Sequence, residues 1–346
     1  MKINKKNKTI FWIISIIFIV LIMNIFLTDK ETKMQEIIAE EHEIQTNETI
    51  EPVTAEPSYN IFVPDTYNSR IHVYDIDGNF LYMFGNRGRG DGQFIMPTDA
   101  VQYQGYIYVL DKGNSRVQVF DLNGSFKFSF GEDILDFPLG LDIFDNKVFI
   151  VNTYKSKVDV FSLDGEPQFS FGSAGRKDWQ FRYPSDVAVD EDFIYVTDAD
   201  NQRMQWFYHN GSFAGKIGNY SKEVYGVKFP MGIGIYNKTI YLADTQNHRI
   251  KMYDKNGNLT KIIGRFGDEI DKFKFNGKIW FVGGRMVVAD TNNHRMKVYE
   301  PNGDLLFTFG SYGRGLGQFK NPGGKRVISK GIINRTVAAN ETNSTS

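Results

Sequence analysis

The sequence predicts an all-β fold, a six-bladed β-propeller of four-stranded antiparallel blades, preceded by a single N-terminal transmembrane helix and a stalk. Two observations predict it: a sixfold internal repeat fills most of the chain after residue 58, and a charge-free apolar run lies near the N-terminus. The composition agrees, because 15% aromatic residues and 33 glycines against 10 prolines are typical of short strands joined by glycine turns.

The first 27 residues have the composition of a membrane anchor. Residues 1–9 carry four lysines and no acid, and residues 10–27 (IFWIISIIFIVLIMNIFL) are eighteen residues without a charge. Such a run is long enough to cross a bilayer as a helix, and the preceding lysines predict a cytoplasmic N-terminus with the rest outside. The alternative is a cleaved signal peptide and a secreted protein, although the run is long and no small-x-small cleavage site follows.

An acidic segment separates this anchor from the repeats. It contains nine acidic residues against two lysines, a composition that predicts an extended, solvated stalk. The predicted organisation is a basic cytoplasmic end (1–9), an anchor (10–27), the stalk (28–57), the propeller (58–329) and a sequon-rich tail (330–346).

Each copy of the repeat has a polar anchor residue, a cation five residues later, and glycines thirteen and twenty residues later. The anchors are Asp65, Asp111, Asn152, Asp198, Asp244 and Asp290. The cations are Arg70, Arg116, Lys157, Arg203, Arg249 and Arg295. Successive anchors are 46, 41, 46, 46 and 46 residues apart, so the third copy departs in spacing and at both positions.

The pattern within each copy predicts four strands. One alternating strand ends at the anchor and another follows the cation; an Asp-Gly or Asn-Gly hairpin leads into a third, and a short apolar strand follows the next proline. A single sheet this small cannot bury both faces, whereas six sheets stacked radially can, as in a propeller. The anchor acid is expected to accept backbone N–H bonds and to pair with the cation.

The D-x-x-N-[HS]-R core, the D-G turn and the G-x-x-G-x-x-x-Q-F-x-x-P spacer resemble the NHL-repeat family of six-bladed β-propellers. The Asn-His pair of that family stands here as Asn247-His248 and Asn293-His294, each followed by arginine. The resemblance covers residues 59 to about 329 and implies the fold. It does not choose a function, because the family includes adhesion, sensor, RNA-binding and enzyme members.

Counting strands predicts how the ring closes. The first copy begins at Tyr59 with its second strand, and Lys325–Ser329 reads as a spare first strand. This strand is expected to pair with the first blade, which would leave no open sheet edge. A stretch at 336–343 (TVAANETN) resembles an anchor strand once more, which leaves a seven-bladed ring as the alternative.

The strand order separates two faces: the top face carries the inter-blade loops and anchor turns, and the bottom face carries the Asp-Gly and Asn-Gly hairpins. Candidate glycosylation sequons after the apolar segment 10–27 are Asn47, Asn123, Asn210, Asn219, Asn237, Asn258, Asn334, Asn340 and Asn343. Their excess predicts an exported glycoprotein, although Asn-Gly-Ser is also good hairpin chemistry. Four of the five within the propeller map to the bottom, so the top face is expected to be the recognition surface.

Composition and motifs narrow the chemistry. The propeller is close to neutral, which together with export argues against a nucleic-acid partner. The chain has no cysteine and no G-x-S-x-G, H-E-x-x-H or Walker pattern. His248 and His294 share one repeat position, which favours a structural role over metal binding. No three histidines converge, so the metal-dependent amidating-lyase subset of NHL enzymes is not supported.

Positions two residues after each repeat proline are predicted to lie near the axis at the top, at the mouth of the channel. They are Asp99, Gly140, Asp186, Gly232, Lys278 and Gly324. Asp99 and Asp186 could hold a calcium ion or a water cluster; the alternative is that they cap the start of their strands.

The loop GNRGRGDGQF (85–94) recurs as GSAGRKDWQF (172–181) and GSYGRGLGQF (310–319). Its Arg-Gly-Asp tripeptide is lost in the copies, which argues against an adhesion motif. The candidate ligand-binding residues are Arg87, Arg89, Arg176 and Arg314. We therefore expect a membrane-anchored, non-enzymatic propeller that binds an acidic protein or glycan through its top face. The alternative is a hydrolase or lyase with a metal at the channel mouth.

Overall fold

The computed structural model describes residues 59–218 and 226–323. The predicted anchor, the stalk, the Lys325–Ser329 strand and the C-terminal tail lie outside these ranges. Within them, none of the helices has the length and apolar character needed to cross a membrane.

Six antiparallel sheets, here called blades 1 to 6, follow one another along the chain. Blade 1 contains Ile61–Asp65, Arg70–Tyr74 and Phe80–Phe84. Blade 2 contains Pro97–Tyr103, Tyr106–Asp111, Arg116–Asp121 and Phe126–Phe130. Blade 3 contains Pro138–Phe144, Lys147–Asn152, Lys157–Ser162 and Pro167–Phe171. Blade 4 contains Pro184–Val189, Ile194–Asp198, Arg203–Phe207 and Phe213–Ile217. Blade 5 contains Gly232–Tyr236, Thr239–Asp244, Arg249–Tyr253 and Leu259–Ile263. Blade 6 contains Asn276–Val282, Arg285–Asp290, Arg295–Tyr299 and Leu305–Phe309.

Short elements occupy the top face. Parallel two-residue pairs close the three arginine-bearing loops: Asn86–Arg87 with Gln93–Phe94, Ser173–Ala174 with Gln180–Phe181, and Ser311–Tyr312 with Gln318–Phe319. Single 3-10 turns follow four anchors, at Lys112–Asn114, Ala199–Asn201, Thr245–Asn247 and Thr291–Asn293. The first strands of successive blades contact one another, so they line the axis of the ring.

One hydrophobic cluster fills each junction between blades, as stacked sheets require. At four junctions an aromatic ring from the outer strand packs on one from the next blade, on the strand that precedes its outer strand. The pairs are Phe84–Phe120, Phe130–Phe161, Phe171–Phe207 and Phe309–Tyr74, with ring centroids 4.9, 5.3, 4.9 and 4.5 Å apart. The outer strands of blades 4 and 5 carry Ile217 and Ile263 at this position instead.

The ring closes between blades 6 and 1. A shared cluster joins them, with Ile61 and Val63 packed among residues of blade 6 such as Val298. Asp65 pairs with Pro322, and the Gly323 N–H donates to the Pro64 carbonyl over 3.1 Å. Blade 2 has the same pairing, between Pro97 and Asp111. The chain after blade 6 therefore begins the missing first strand of blade 1, and the ring has six blades.

Candidate functional site

The anchor acid and the cation of the repeat motif hold the top-face loops in place through hydrogen bonds. In blade 2, Asp111 Oδ1 accepts the N–H of Ile95 over 2.8 Å, and Oδ2 accepts from Asn114 Nδ2 at 2.7 Å and Arg116 Nε at 3.2 Å. Arg116 then donates to the Gly90 carbonyl at 2.7 Å. Each arginine of the motif makes the same link from anchor to loop: Arg70, Arg203, Arg249 and Arg295. Burial raises the pKa of Asp111 against these hydrogen bonds, as it does for Asp65 and Asp198.

Blade 3 keeps this network with its partners exchanged. Asn152 accepts the Asp136 N–H through Oδ1 at 2.9 Å and donates through Nδ2 to Asp159 at 2.7 Å. The Lys157 ammonium pairs with Asp159 at 2.6 Å. In blade 3 the carboxylate therefore stands seven residues after the anchor position. Blades 2 and 6 carry Gln118 and Lys297 at this place, and both donate hydrogen bonds. Asp159 was not predicted from the sequence. It could have been found, because the position seven residues after the anchor is acidic only in the copy whose anchor is Asn.

The two motif histidines support the backbone that enters the next blade. His248 Nδ1 accepts the N–H of Phe275 at 3.2 Å, and His294 Nδ1 accepts that of Asn321 at 3.3 Å. Both residues have a left-handed backbone with φ of 58° and 55°. Burial lowers the pKa of each imidazole, which leaves the neutral form to accept these bonds.

Three charged side chains from alternate blades meet at the axis. The Lys278 ammonium, from blade 6, lies 2.5 Å from Asp186 Oδ1 of blade 4 and also contacts Asp99 Oδ2 of blade 2. All three residues are buried. Trp280 Nε1 donates to Asp99 at 3.2 Å. Burial by itself would lower the pKa of Lys278, but Asp186 and Asp99 outweigh it, and the pKa is raised. We call Asp99, Asp186 and Lys278 the axial triad.

Glycines from the intervening blades make room for the axial triad. A Cβ at Gly140 would lie 2.6 Å from Asp186 Oδ1, and one at Gly232 would collide with the Gly277 carbonyl. The level predicted to be a channel mouth is therefore filled by a buried ion-pair cluster. The Lys278 ammonium lies between the two carboxylates that were considered as a possible site for a calcium ion or a water cluster. In residues 59–218 and 226–323, no three His, Asp or Glu side chains are grouped as a metal site.

Asp142 lies on the axial side of blade 3, two residues beyond Gly140. Its carboxylate accepts the N–H groups of Val189 at 2.7 Å and Ile143 at 2.9 Å. Burial raises its pKa to about 7, against the opposing effects of these hydrogen bonds and of Lys278. Asp142 is thus an axial acid with a pKa near neutral pH, and nothing in the repeat pattern singles it out.

The four predicted arginines are all exposed on top-face loops. Arg87, Arg89 and Arg314 lie on the two loops that flank blade 1, so the structure brings these three into one sector. Arg176 lies between blades 3 and 4, beyond a loop that carries three acids: Glu132, Asp133 and Asp136. Across the described part of the chain, no ion pair or hydrogen bond engages any of the four side chains.

The loop after blade 5 provides an internal contrast. Its cations are neutralised by its own acids: Arg265 pairs with Asp271 at 3.2 Å, and two lysines of the same loop contact Asp268 and Glu269. It exposes Phe266 to 60%, much as the loop after blade 6 exposes Tyr312 to 62%. The two loops therefore present similar apolar surface and differ in free positive charge.

A ring of large side chains surrounds the axis on the same face. The residue three positions before each axial position has a left-handed backbone, with φ between 50° and 68°. These residues, here called the collar, are Met96, Phe137, Tyr183, Phe229, Phe275 and Asn321. Bulky residues rarely adopt this conformation, which costs roughly 1–3 kcal/mol each. The collar residues before Asn321 are partly exposed, and Phe137 stacks on Tyr154 with ring centroids 4.3 Å apart.

The collar was not predicted from the sequence, although five copies carry a large apolar residue at this repeat position.

Four predicted sequon residues are exposed in bottom-face hairpins: Asn123, Asn210, Asn237 and Asn258. The other five predicted sequons lie outside the described residues: Asn47, Asn219, Asn334, Asn340 and Asn343.

These features define the class of protein, a six-bladed β-propeller. A family model for a 6-bladed beta-propeller matches residues 39–137, and one for the NHL repeat matches residues 181–207. The chain therefore contains a segment that matches the NHL repeat within a six-bladed propeller. No curated protein matches its sequence.

Solved structures share this fold at low identity. A chain of the nidogen/laminin complex is 12% identical with a TM-score of 0.58, covering 72% of this chain and 93% of its own. A protein of unknown function from Bacteroides caccae is 9% identical with a TM-score of 0.56, covering 72% and 93%. A streptogramin B lyase is 11% identical with a TM-score of 0.54, covering 71% and 78%. Such identities establish the fold alone.

Proposed function

We propose that this chain is a non-enzymatic binding propeller whose top face recognises an acidic protein or glycan. One observation carries the proposal: Arg87, Arg89 and Arg314 project from adjacent loops and form no ion pair with any described residue. A guanidinium binds carboxylate, sulfate or phosphate groups through two parallel N–H bonds. Three such groups in one sector would select a partner with several anionic groups.

The loops that carry these arginines are held in place before any ligand arrives. Arg70 donates to the carbonyls of Gly315 at 3.0 Å and Gln318 at 3.2 Å. Within the other loop, the Gly90 N–H donates to Gln93 Oε1 at 3.0 Å. Fixed loops lose less conformational entropy on binding, which favours affinity.

Apolar groups beside the arginines extend this surface. Tyr312 and Leu316 flank Arg314 and are 62% and 68% exposed. Aromatic residues and arginine are enriched in the energetically dominant parts of interfaces. The collar adds aromatic edges toward the axis.

The proposed location is outside the cell membrane, with the N-terminal segment as the anchor. The apolar run at 10–27 and the lysines before it support this orientation. Exposed sequons on the bottom face support it as well, because glycans there would leave the top face open.

Binding of the purified chain to acidic glycans and poly-glutamate, compared with neutral glycans, tests the proposal. We expect Arg87→Glu/Arg89→Glu/Arg314→Glu to lower affinity for the acidic probe at least tenfold, and added salt to weaken wild-type binding. The matched control is Arg265→Glu, in the neutralised loop after blade 5, which should retain affinity. Equal binding by the triple variant and wild type, or no acidic probe bound, would refute the proposal.

The second candidate is a propeller enzyme of hydrolase or lyase type with a metal at the axis. Asp142 favours it, because an axial acid with a pKa of about 7 suits proton transfer. The position of Lys278 disfavours it, since Asp99 and Asp186 already bind a cationic group. Metal analysis of the purified chain decides between the two: a stoichiometric ion, lost with an activity in Asp99→Asn/Asp186→Asn, would support the enzyme.

A further inference from the structure

Two of the five histidines contact the loop at which the ring closes. This loop, residues 310–321, is called the closing loop. His72, in blade 1, packs against Phe319 with ring centroids 5.2 Å apart. His294, in blade 6, packs against Tyr312 with ring centroids 4.8 Å apart. One imidazole therefore contacts the closing loop near its start, and the other contacts it near its end.

His72 occupies a position at which other blades hold their loop through hydrogen bonds. It stands seven residues after its anchor, as Gln118 does in blade 2. Gln118 accepts the N–H of Gly92 at 2.9 Å and donates to the Gln93 carbonyl at 2.7 Å. The buried Nε2 atom of His72 has no hydrogen-bond partner within the described ranges, and its Nδ1 atom lies 3.2 Å from the Tyr74 hydroxyl. The imidazole thus fills the place of the amide without its bonds to the loop.

His294 accepts a hydrogen bond that only an uncharged imidazole can accept. Its Nδ1 atom receives the N–H of Asn321, the last residue of the closing loop, at 3.3 Å. Gln202, at the same repeat position in blade 4, receives the N–H of Phe229 through Oε1 at 2.8 Å without a titratable group. A protonated imidazole carries hydrogen on both nitrogens, so the Asn321 N–H would then face another donor.

The surroundings of His72 disfavour a positive charge. Its Nε2 atom lies 3.7 Å from Asp65 Oδ2, but that oxygen already accepts a hydrogen bond from Arg70. Phe80 and Phe319 also pack against the imidazole, and neither carries a charge. Burial lowers the pKa of His72 from 6.5 to about 3, and the Arg70 guanidinium adds to this effect.

The surroundings of His294 act in the same direction. It faces Asp290 on its own turn, and Asp65 and Lys320 across the closure. Burial lowers the pKa of His294, and this effect outweighs the opposing attraction of the two acids. Both imidazoles are therefore neutral in the folded ring at pH 7.

Opening of the closing loop would expose both imidazoles to water, where a histidine has a pKa of about 6.5. The open form then binds more protons than the closed form once the pH falls below that value. Both histidines therefore favour the closed form above pH 6.5, and this preference is lost progressively in acid.

We propose that His72 and His294 form an acid-sensitive latch, which holds the closing loop at neutral pH and loosens it as the pH falls toward 5. The closing loop carries Arg314, Tyr312 and Leu316, so acid would also weaken recognition by the top face. That consequence rests on the proposed function, whereas the latch itself does not.

Amide hydrogen exchange of the purified chain at pH 7 and pH 5, expressed as protection factors, measures the opening of single loops. The N–H groups of Gly313 and Gln318 bond to carbonyls within the closing loop. Their protection should fall at least tenfold at pH 5, because protonation of the exposed imidazoles favours the open form.

The internal reference is the loop 85–94, where Gly88 and Gln93 make the equivalent backbone bonds. Blade 2 has Ser115 and Gln118 at the two histidine positions, so protection there should change by less than about threefold. Burial raises the pKa of the anchor acids beside both loops, Asp65 and Asp111, so their titration affects the two loops alike.

His72→Gln/His294→Gln introduces the amides that blades 2 and 4 use at these positions. In this variant the closing loop should keep its pH 7 protection at pH 5. His248→Gln is the matched control, because it removes the equivalent imidazole beside the loop after blade 5. That variant should show the wild-type loss of protection in the closing loop.

Two results would overturn the proposal: an equal loss of protection in both wild-type loops, or the full loss in the closing loop of the double variant. If the double variant fails to fold, His72→Gln and His294→Gln singly should each reduce the loss, and the comparison of the two wild-type loops stands by itself. Exchange requires no ligand, so failure of the latch is distinguishable from failure of the acidic-partner proposal.

Discussion

At the scale of single residues, the position seven residues after each anchor shows how one network accepts different chemistry. Gln118 donates to the Gln93 carbonyl at 2.7 Å, and Lys297 donates to the equivalent Lys272 carbonyl at 2.5 Å. The Lys297 side chain is fully buried and lies 3.7 Å from Asp290. A glutamine performs this task without a charge, so the lysine makes stability depend on pH.

Lys297→Gln should stabilise the protein near neutral pH. Burial lowers the pKa of Lys297 from 10.5 to about 8, although Asp290 opposes it. Between those values the unfolded chain binds more protons than the native one, so wild-type stability should rise with pH in that window. Below pH 8 both states are protonated and the buried charge is least favourable.

Urea unfolding from pH 7 to 10 measures this effect. The variant should lose part of the rise with pH and gain on the order of 1–3 kcal/mol at pH 7. Lys251, whose pKa burial also lowers to about 8, should retain the rest of the rise. The control is Lys147→Gln on the exposed surface, which should keep the wild-type profile. A variant with the full wild-type rise would show that Lys297 does not contribute to it.

At the scale of elements, the axial triad joins strands that are far apart in the sequence. Lys278 and Asp186 are 92 residues apart, and their ion pair links the first strands of blades 6 and 4. Breaking a buried ion pair by removing one partner is costly, because it leaves an uncompensated charge away from water. The axial triad therefore stabilises the inner ring as long as all three members are present.

Lys278→Met should lower the free energy of unfolding by about 3–5 kcal/mol. Asp99 and Asp186 would then face each other without a cation, and one would take up a proton in the native state. A raised carboxyl pKa means that stability falls as pH rises, so the variant should be more stable at pH 5 than at pH 7 relative to wild type.

Thermal unfolding at the two pH values checks this prediction. Asp99→Asn/Asp186→Asn/Lys278→Met removes all three charges. This variant should regain part of the lost stability, and it should not show the pH dependence of Lys278→Met. Lys238→Met, in an exposed pair 3.9 Å from Glu191, should change stability by less than about 1 kcal/mol. A pH-independent loss in Lys278→Met would indicate a packing defect instead.

At the scale of the whole molecule, closure of the ring is expected to need the chain that follows blade 6. The pairing of Asp65 with Pro322 is the first step of that strand, and the predicted Lys325–Ser329 segment would complete it. Deletion of residues 324–346 should leave the blade 1 edge open, lower the melting temperature by about 5–10 °C and promote association through that edge.

Deletion of residues 330–346 is the matched control, because it removes the tail and retains the predicted strand. Calorimetry and light scattering should show it to be as stable and as monodisperse as the intact chain. Equal behaviour of the two deletions would show that Lys325–Ser329 does not close the ring.

Most of the fold could be predicted from the sequence, and part of the site. Periodicity located the anchors, the hairpins and the loops with Arg87 and Arg314, because each blade pairs residues close in sequence. It also placed Asp99 and Asp186 at one level near the axis. It did not predict that Lys278 would bridge them, or that Asp159 would replace an anchor acid, since both contacts depend on side-chain reach.

The sequence by itself determined the strand order, the number of blades and the face from which each loop emerges. Those properties follow from local hydrogen bonding and from burial that repeats with the chain. Only the tertiary structure decided which charges neutralise one another and which arginines remain free. Those outcomes depend on distances between side chains of different blades, and a local pattern does not contain such distances.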